Sequence, residues 1–193
     1  VVRVHETKGI SVWIIHADSS SCRVVTSTVG GVCNIWDLCH SGSGEAPASE
    51  LSRQVTSLRT VRDNIATCSR LIGDGRHLII GDCRGNLSLY TDFDISPSSH
   101  PSHPISPSLC VIKAHSLEVV SYIYPIENAS SEISFCSLGY DGFINTYTII
   151  NCVTTSGDPK PAVRLVSRLS CLPITSPDEM CVFGSGERMS VYI

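Results

Sequence analysis

The stretch that decides the fold is Asp141-Gly-Phe-Ile-Asn-Thr-Tyr147, in which β-forming residues lead from a glycine-bearing turn to an aromatic residue. The same order recurs in Gly31-Val-Cys-Asn-Ile-Trp36-Asp37, Arg84-Gly-Asn-Leu-Ser-Leu-Tyr90 and Gly186-Glu-Arg-Met-Ser-Val-Tyr192. A supersecondary unit repeated at roughly 45–55 residues indicates a repeat architecture, because each unit buries its apolar faces only against its neighbours. The chain is therefore predicted to be all-β.

The four units resemble WD40 repeats, because the first copy ends in Trp36-Asp37, the dipeptide after which those repeats are named. The resemblance implies that each unit is one four-stranded propeller blade. About four such blades are fewer than most closed propellers contain. We therefore expect WD40-type β-propeller blades in an incomplete array, a fragment of a longer polypeptide.

The predicted blades alternate with segments of different composition. The sequence assigns blades to residues 1–40, 51–93, 109–150 and 163–193. Between them we predict a flexible linker rich in Gly and Ser at 41–50, an exposed loop rich in Ser, Pro and His at 94–108, and a connecting loop at 151–162. The prolines of the second segment lack the backbone N–H that a strand ladder requires, so this segment cannot hold a sheet.

The charge distribution limits the partners that this chain can bind. A net charge of −4 with 17% charged residues excludes a basic surface over the whole chain. Arginine is nevertheless concentrated in one segment, and its candidate RNA contacts are Arg59, Arg62 and Arg84. The alternative interpretation of the same segment is an ordinary solvated blade face.

The ten cysteines are interpreted as reduced thiols. Most lie in or beside apolar β-type runs, where a free thiol behaves as a small hydrophobic group, and the spacing typical of a zinc site is absent. We therefore expect an intracellular, cytoplasmic protein. No stretch approaches the roughly 18 uncharged apolar residues of a membrane span, so no membrane association is expected.

One constellation in the third unit carries catalytic residue types. His115 precedes the predicted inner strand, Ser137 lies on the second strand, Asp141 occupies the tight turn, and Tyr147 ends the third strand. The WD40 resemblance implies that these four residues form a hydrogen-bonded structural network, with Tyr147 in the position of the usual Trp. A hydrolase is the alternative, since Ser, His and Asp also form catalytic triads.

The structural interpretation is favoured for this constellation. The other three units have Gly30, Arg84 and Gly186 where the third has its turn aspartate, which is typical of a scaffold whose blades need only pack. The sequence contains no nucleophile elbow, Walker loop or Rossmann glycine pattern. We therefore predict that the protein is not an enzyme and holds no cofactor or metal.

The order of motifs resembles the WD repeat-containing protein 6 family. Four places carry this resemblance: Lys8-Gly-Ile-Ser-Val-Trp13, the stretch from Cys68 to Tyr90, Leu138-Gly-Tyr-Asp-Gly142, and Val163-Arg-Leu-Val-Ser-Arg-Leu-Ser170 leading into Pro177-Asp178. The more specific string is Gly81-Asp-Cys-Arg-Gly85. Together they span nearly the whole chain and include a low-complexity insertion after the second unit. This insertion is rich in Ser, Pro and His rather than Gly, and most loops differ from those of the family.

The resemblance implies a non-catalytic scaffold that partners an FtsJ-like tRNA 2′-O-methyltransferase. It would help to position tRNA for 2′-O-methylation at the wobble nucleotide of the anticodon loop, and the methyltransferase would bind the methyl donor S-adenosylmethionine. The alternative is a WD40 interaction scaffold for protein kinases or trafficking complexes, with no role in RNA modification.

Overall fold

The structure is a computed structural model of the 193-residue chain. It describes residues 12–18, 23–28, 30–38, 52–73, 76–91, 108–116, 119–126, 132–153, 159–170, 181–185 and 188–192. These residues form antiparallel β-sheets and one short 3-10 turn at Val61–Asp63. The predicted all-β fold class is confirmed.

Three four-stranded sheets follow one another along the chain. The first contains β1 (Val12–Asp18), β2 (Arg23–Thr28), β3 (Val32–Leu38) and β4 (Ser52–Arg59). The second contains β5 (Ala66–Ile72), β6 (His77–Asp82), β7 (Asn86–Thr91) and β8 (Ser108–Lys113). The third contains β9 (Val120–Ile126), β10 (Ser134–Gly139), β11 (Phe143–Val153) and β12 (Pro159–Ser170). In each sheet, strands that are adjacent in sequence pair with each other.

A fourth unit is present as a single hairpin. Strands β13 (Cys181–Ser185) and β14 (Arg188–Tyr192) pair antiparallel and form a two-stranded sheet. The described part of the chain therefore contains three complete four-stranded units and one hairpin.

A glycine in the left-handed region ends the central turn of each complete sheet. The φ angles of Gly31, Gly85 and Gly142 are 71°, 78° and 76°, a conformation that costs L-residues energy and glycine almost none. Each turn lets the second and third strands pair in register, for example Ser137 opposite Asn145 in the third sheet. The glycine that marked each repeat in the sequence is thus required by the backbone.

The sheets pack face to face through two buried clusters. Val25, Ile35 and Leu58 of the first sheet pack with Leu78 and Tyr90 of the second. A second cluster joins the second and third sheets through Ile79, Leu87, Leu89, Val120, Phe135 and Tyr147. Inner strand β5 contacts both β1 and β9, so the three sheets succeed one another like blades around an axis.

The sheet boundaries lie one strand later than the predicted unit boundaries. Strand β4 pairs with β3 although its residues were placed in the second unit, and β12 pairs with β11 although most of it was placed in the fourth. Part of the predicted connecting loop at 151–162 is strand, because β11 continues to Val153 and β12 begins at Pro159. The predicted linker at 41–50 lies outside the described residues, as does nearly all of the loop predicted at 94–108.

An outer strand is difficult to recognise because it pairs on one side only. Pro159 and Pro161 are tolerated in β12 since an edge strand needs N–H donors toward a single neighbour. Among the described residues, no helix has the length and apolar character required to cross a membrane.

Candidate functional site: the turn edge

Most of the functional residues predicted from the sequence lie along one edge of the sheets, which we call the turn edge, whereas Ser137 and Tyr147 lie within strands β10 and β11. It consists of the β2–β3, β6–β7 and β10–β11 turns with the β4–β5 and β8–β9 connections. Each connection is tied to the turn beside it: the N–H of Thr60 donates to the Gly31 carbonyl at 2.9 Å, and the N–H of His115 donates to the Gly85 carbonyl at 3.0 Å. Side chains from successive sheets therefore form one surface.

In the third sheet, His115, Ser137 and Asp141 form a continuous hydrogen-bonded chain. His115 Nδ1 lies 2.8 Å from Asp141 Oδ1, and His115 Nε2 lies 2.8 Å from Ser137 Oγ. With a neutral ring, the Nδ1–H donates to the carboxylate and Nε2 accepts from the Ser137 hydroxyl. A further hydrogen bond joins Ser137 to Tyr147, so the structure brings together all four predicted network residues.

The network is closed to a substrate. The exposed fractions of Ser137 and His115 are 0% and 1%, and the Tyr147 ring stacks on Phe135 with 5.2 Å between ring centroids. A nucleophilic oxygen needs a reacting atom placed about 3 Å away, and a fully buried hydroxyl offers no such place. The arrangement has the connectivity of a catalytic triad, but it holds strands together.

Asp141 is the most heavily bonded acceptor of this network. Besides His115, it accepts the backbone N–H groups of Ser116 at 3.1 Å and Phe143 at 3.2 Å, and Arg168 lies 3.8 Å away. Burial opposes ionisation of Asp141, but the hydrogen bonds from Ser116 and His115 outweigh it and hold the pKa below its usual 3.8. Asp141 therefore remains a carboxylate at neutral pH.

Burial keeps His115 uncharged, whereas Asp141 is charged. This burial lowers the pKa of His115 below the usual 6.5, despite the opposing hydrogen bond and charge of Asp141. Burial likewise raises the pKa of Tyr147 to about 12. At neutral pH the network thus contains a neutral imidazole and a neutral phenol around one carboxylate.

We expect acid to destabilise the fold through His115. The unfolded chain binds a proton at His115 below a pKa of about 6.5, whereas the folded chain resists protonation. The contribution of His115 is complete above that value and is lost as pH falls toward the folded pKa. Urea denaturation at pH 7.5 and pH 5 is expected to give lower stability at pH 5. A His115→Gln variant is expected to show a smaller difference; an unchanged difference would contradict this assignment.

A second network, in the second sheet, was missed by the sequence analysis. Asp82 is 2% exposed, and its Oδ1 accepts the backbone N–H groups of Arg84 at 2.8 Å and Asn86 at 2.9 Å. Its Oδ2 accepts the side-chain amides of Asn86 at 2.7 Å and Asn64 at 2.9 Å. The second turn therefore has a carboxylate. Comparison of the four units placed this carboxylate at the position of Arg84, but it lies two residues earlier.

In the first sheet, a side-chain hydroxyl accepts one of the backbone N–H groups of the turn in place of a carboxylate. Thr28 Oγ1 accepts the N–H of Val32 at 3.2 Å, which corresponds to the bond between Asp82 and the N–H of Asn86. Trp36 Nε1 donates to Thr26 Oγ1 at 3.0 Å and links the second and third strands. The three turns are closed by Thr28, Asp82 and Asp141, which differ in residue type or in position, so the sequences diverge while the geometry is kept.

The three arginines predicted to contact RNA lie on the turn edge, but they differ in whether their charge is free to bind RNA. Arg59 is neutralised by Asp63, whose Oδ1 lies 2.8 Å from Arg59 Nη1. Arg62 is exposed and has a left-handed conformation with φ 56°. Arg84 is exposed on the β6–β7 turn, which is joined to the segment of Arg62 by the Asn64–Asp82 hydrogen bond.

Lys113 adds a cation that the sequence analysis did not single out. It is exposed at the end of β8, and its Nζ donates to the carbonyl of Arg84. Arg62 and Arg84 therefore lie on segments that are joined by a hydrogen bond, and Lys113 is bonded to the second of them. We call these three residues the cationic cluster.

The described residues contain no group of three or more His, Cys, Asp or Glu side chains that could hold a metal ion. The cysteines at 33, 68, 83, 110 and 136 are free thiols. Burial raises the pKa of Cys68 and of Cys136 to about 12, so these two are protonated at neutral pH. Unreactive thiols of this kind act as packing groups.

Solved structures with this arrangement of sheets are β-propellers. The β-propeller domain of Cps50 (Swd1) from Myceliophteria thermophila is 17% identical, with a TM-score of 0.51 over 83% of this chain and 43% of that chain. The WD40 domain of SCAP from fission yeast is 13% identical, with a TM-score of 0.57 over 95% of this chain and 39% of that chain. The chain has the fold of WD40-type propeller blades.

Hsv2 from Kluyveromyces lactis is similar at 10% identity, with a TM-score of 0.57 over 84% of this chain and 48% of that chain. The WD40-type array described here thus spans less than half the length of each of these three structures. No protein-family model and no curated protein matches the sequence. The resemblance to the WD repeat-containing protein 6 family stays a prediction.

Proposed function

We propose that this WD40-type array is a non-catalytic interaction scaffold whose turn edge binds its partners. The observation that carries the proposal is the contrast between two groups of side chains. Ser137 and His115 are buried inside a blade, whereas the cationic cluster is exposed on turns and a strand end that are joined by hydrogen bonds. Rigid surfaces of this kind suit positioning of a partner.

We further propose that the partners are tRNA and an FtsJ-like tRNA 2′-O-methyltransferase, in the cytoplasm. The sequence resemblance supports the choice of methyltransferase, and the cationic cluster supports contact with a phosphate backbone. In such a complex S-adenosylmethionine would be bound by the methyltransferase. The scaffold would hold tRNA so that the wobble ribose reaches that partner.

Neutralising the cationic cluster is expected to weaken tRNA retention. In electrophoretic mobility shift titrations of the full chain with tRNA, Arg62→Gln, Arg84→Gln and Lys113→Gln combined should reduce affinity about tenfold at low salt. The slope of log affinity against log salt should fall by about 2, since each lost phosphate contact removes about 0.7–0.9. Arg59→Gln should have less effect, because Asp63 already neutralises Arg59.

Arg76→Gln is the matched control, because Arg76 is exposed on the β5–β6 turn at the opposite end of β6. Equal losses for Arg76 and for the cluster would contradict a local RNA surface. Purification of the full chain from cells should also recover an FtsJ-like methyltransferase. Recovery of protein kinases or trafficking proteins without tRNA or methyltransferase would instead favour the alternative scaffold.

A further inference from the structure

The outer strand of the third blade exposes an unusual amount of apolar surface. Every residue of β12 from Arg164 to Ser170 is exposed, and its Leu165, Val166 and Leu169 are 52%, 55% and 58% exposed. These are the most exposed large apolar side chains in the described part of the chain. Clustered apolar exposure of this kind marks an interaction site in a soluble domain.

The two halves of β12 differ in how well their unpaired edge is protected against pairing with another strand. Strand β12 pairs with β11, and no other described strand pairs with its far edge. In the first half, Pro159 and Pro161 remove N–H donors and Lys160 adds a charge, which are the usual ways of blocking unwanted strand pairing. The second half contains no proline, so each of its residues keeps the backbone N–H that strand pairing requires.

A β-bulge lies within the second half. Leu165 lies opposite Tyr147 and Ser167 lies opposite Thr146, so Val166 is the extra residue. Bulges redirect side chains and occur beside functional sites. Here the bulge breaks the alternation, and apolar side chains are exposed on both sides of the strand.

The charge of this strand is complementary to an acidic partner. Residues 159–170 contain Lys160, Arg164 and Arg168 and no carboxylate, although the chain as a whole has a net charge of −4. Arg168 packs on the Phe143 ring and lies near Asp141. Within the described ranges, Lys160 and Arg164 have no ion-pair partner. Arg164 is therefore a cation available beside exposed apolar groups.

We propose that residues 164–170 of β12 dock an extended segment of a protein partner in which apolar and acidic residues alternate. The segment would add a strand to the free edge of the third blade. Its main chain would pair with β12, its apolar side chains would cover Leu165, Val166 and Leu169, and its carboxylates would meet Arg164 and Arg168. The residues of this surface lie on β12 and are not those of the cationic cluster, so the inference goes beyond the proposed function.

The experiment titrates the full chain into a fluorescein-labelled peptide of alternating glutamate and valine, followed by fluorescence anisotropy. Wild type is expected to bind saturably, and Arg164→Glu is expected to bind about tenfold more weakly. A peptide with lysine in place of glutamate should then bind Arg164→Glu more tightly than wild type, because the charge pairing has been reversed. Arg164→Glu should leave tRNA retention unchanged, which separates this test from that of the proposed function.

Matched variants distinguish the strand from a general surface effect. Leu165→Ser should weaken peptide binding several-fold, whereas Leu109→Ser, at an apolar position 40% exposed on outer strand β8, should not. Failure of wild type to bind, or equal binding by wild type and Arg164→Glu, would overturn the proposal. So would sedimentation showing that wild type forms a dimer which Leu165→Ser disrupts, since the occupant would then be a second copy of the chain.

Discussion

Replacing Asp82 with alanine is expected to lower the free energy of unfolding by about 2–4 kcal/mol. The substitution removes the acceptor of four hydrogen bonds from a site that is 2% exposed. A buried donor that loses its acceptor costs about 1–3 kcal/mol, and water entering the emptied site offsets part of the total. The loss is large because one side chain fixes both the β6–β7 turn and, through Asn64, the connection from the first blade.

Urea denaturation of the full chain, followed by circular dichroism, measures this effect. Asp82→Asn is expected to cost less than Asp82→Ala, because an amide oxygen still accepts the N–H groups of Arg84 and Asn86. Glu132→Ala is the control, since Glu132 is an exposed carboxylate ahead of β10, and it should change stability by less than about 0.5 kcal/mol. An Asp82→Ala effect no larger than that of Glu132→Ala would show that the network contributes little.

The sequence predicted the second and third strands of each blade because their signals are local. A turn glycine with positive φ and an alternating apolar run ending on an aromatic residue specify such a hairpin without reference to the rest of the chain. The outer strands lack that signal. Strand β4 is rich in polar residues, and two of the first three residues of β12 are prolines, which an edge strand tolerates. Their assignment depends on pairing with a distant partner, so the predicted units began one strand early.

The difference between local and long-range signals also explains which residues of the candidate site could be predicted from the sequence. His115, Ser137 and Asp141 were recognisable because they occupy the positions of a regular blade, whereas Asp82 performs a related task from another position. A signal for Asp82 was present: an aspartate in or next to a tight turn accepts the N–H two residues later, as Asp82 does with Arg84 and Asp141 does with Phe143. The neutralisation of Arg59 by Asp63 depended on side-chain geometry, which the sequence does not contain.

Replacing His115 with alanine is expected to lower the free energy of unfolding by about 1–3 kcal/mol. The imidazole is 1% exposed and bridges the β10–β11 turn to the middle of β10. Its removal leaves the Ser137 hydroxyl without its acceptor and removes one donor to Asp141. It also leaves a cavity against Gly139, where a Cβ would overlap the imidazole ring.

A double-mutant cycle with Ser137→Ala tests whether the two residues act as one unit. If they do, the double variant should lose less stability than the sum of the single variants, by about 0.5 kcal/mol or more. Ser116→Ala is the matched control, because it keeps the backbone N–H that donates to Asp141 and should change stability by less than about 0.5 kcal/mol.

A catalytic role for His115 requires a different result from a structural one. A triad would show hydrolytic turnover that His115→Ala abolishes while the urea midpoint stays unchanged, because catalytic residues are selected for reactivity and often add little stability. The buried geometry predicts the reverse. His115→Ala should shift the urea midpoint, and wild type should show no hydrolysis of ester substrates that depends on Ser137. Turnover that disappears with Ser137→Ala in a fully folded variant would contradict the scaffold proposal.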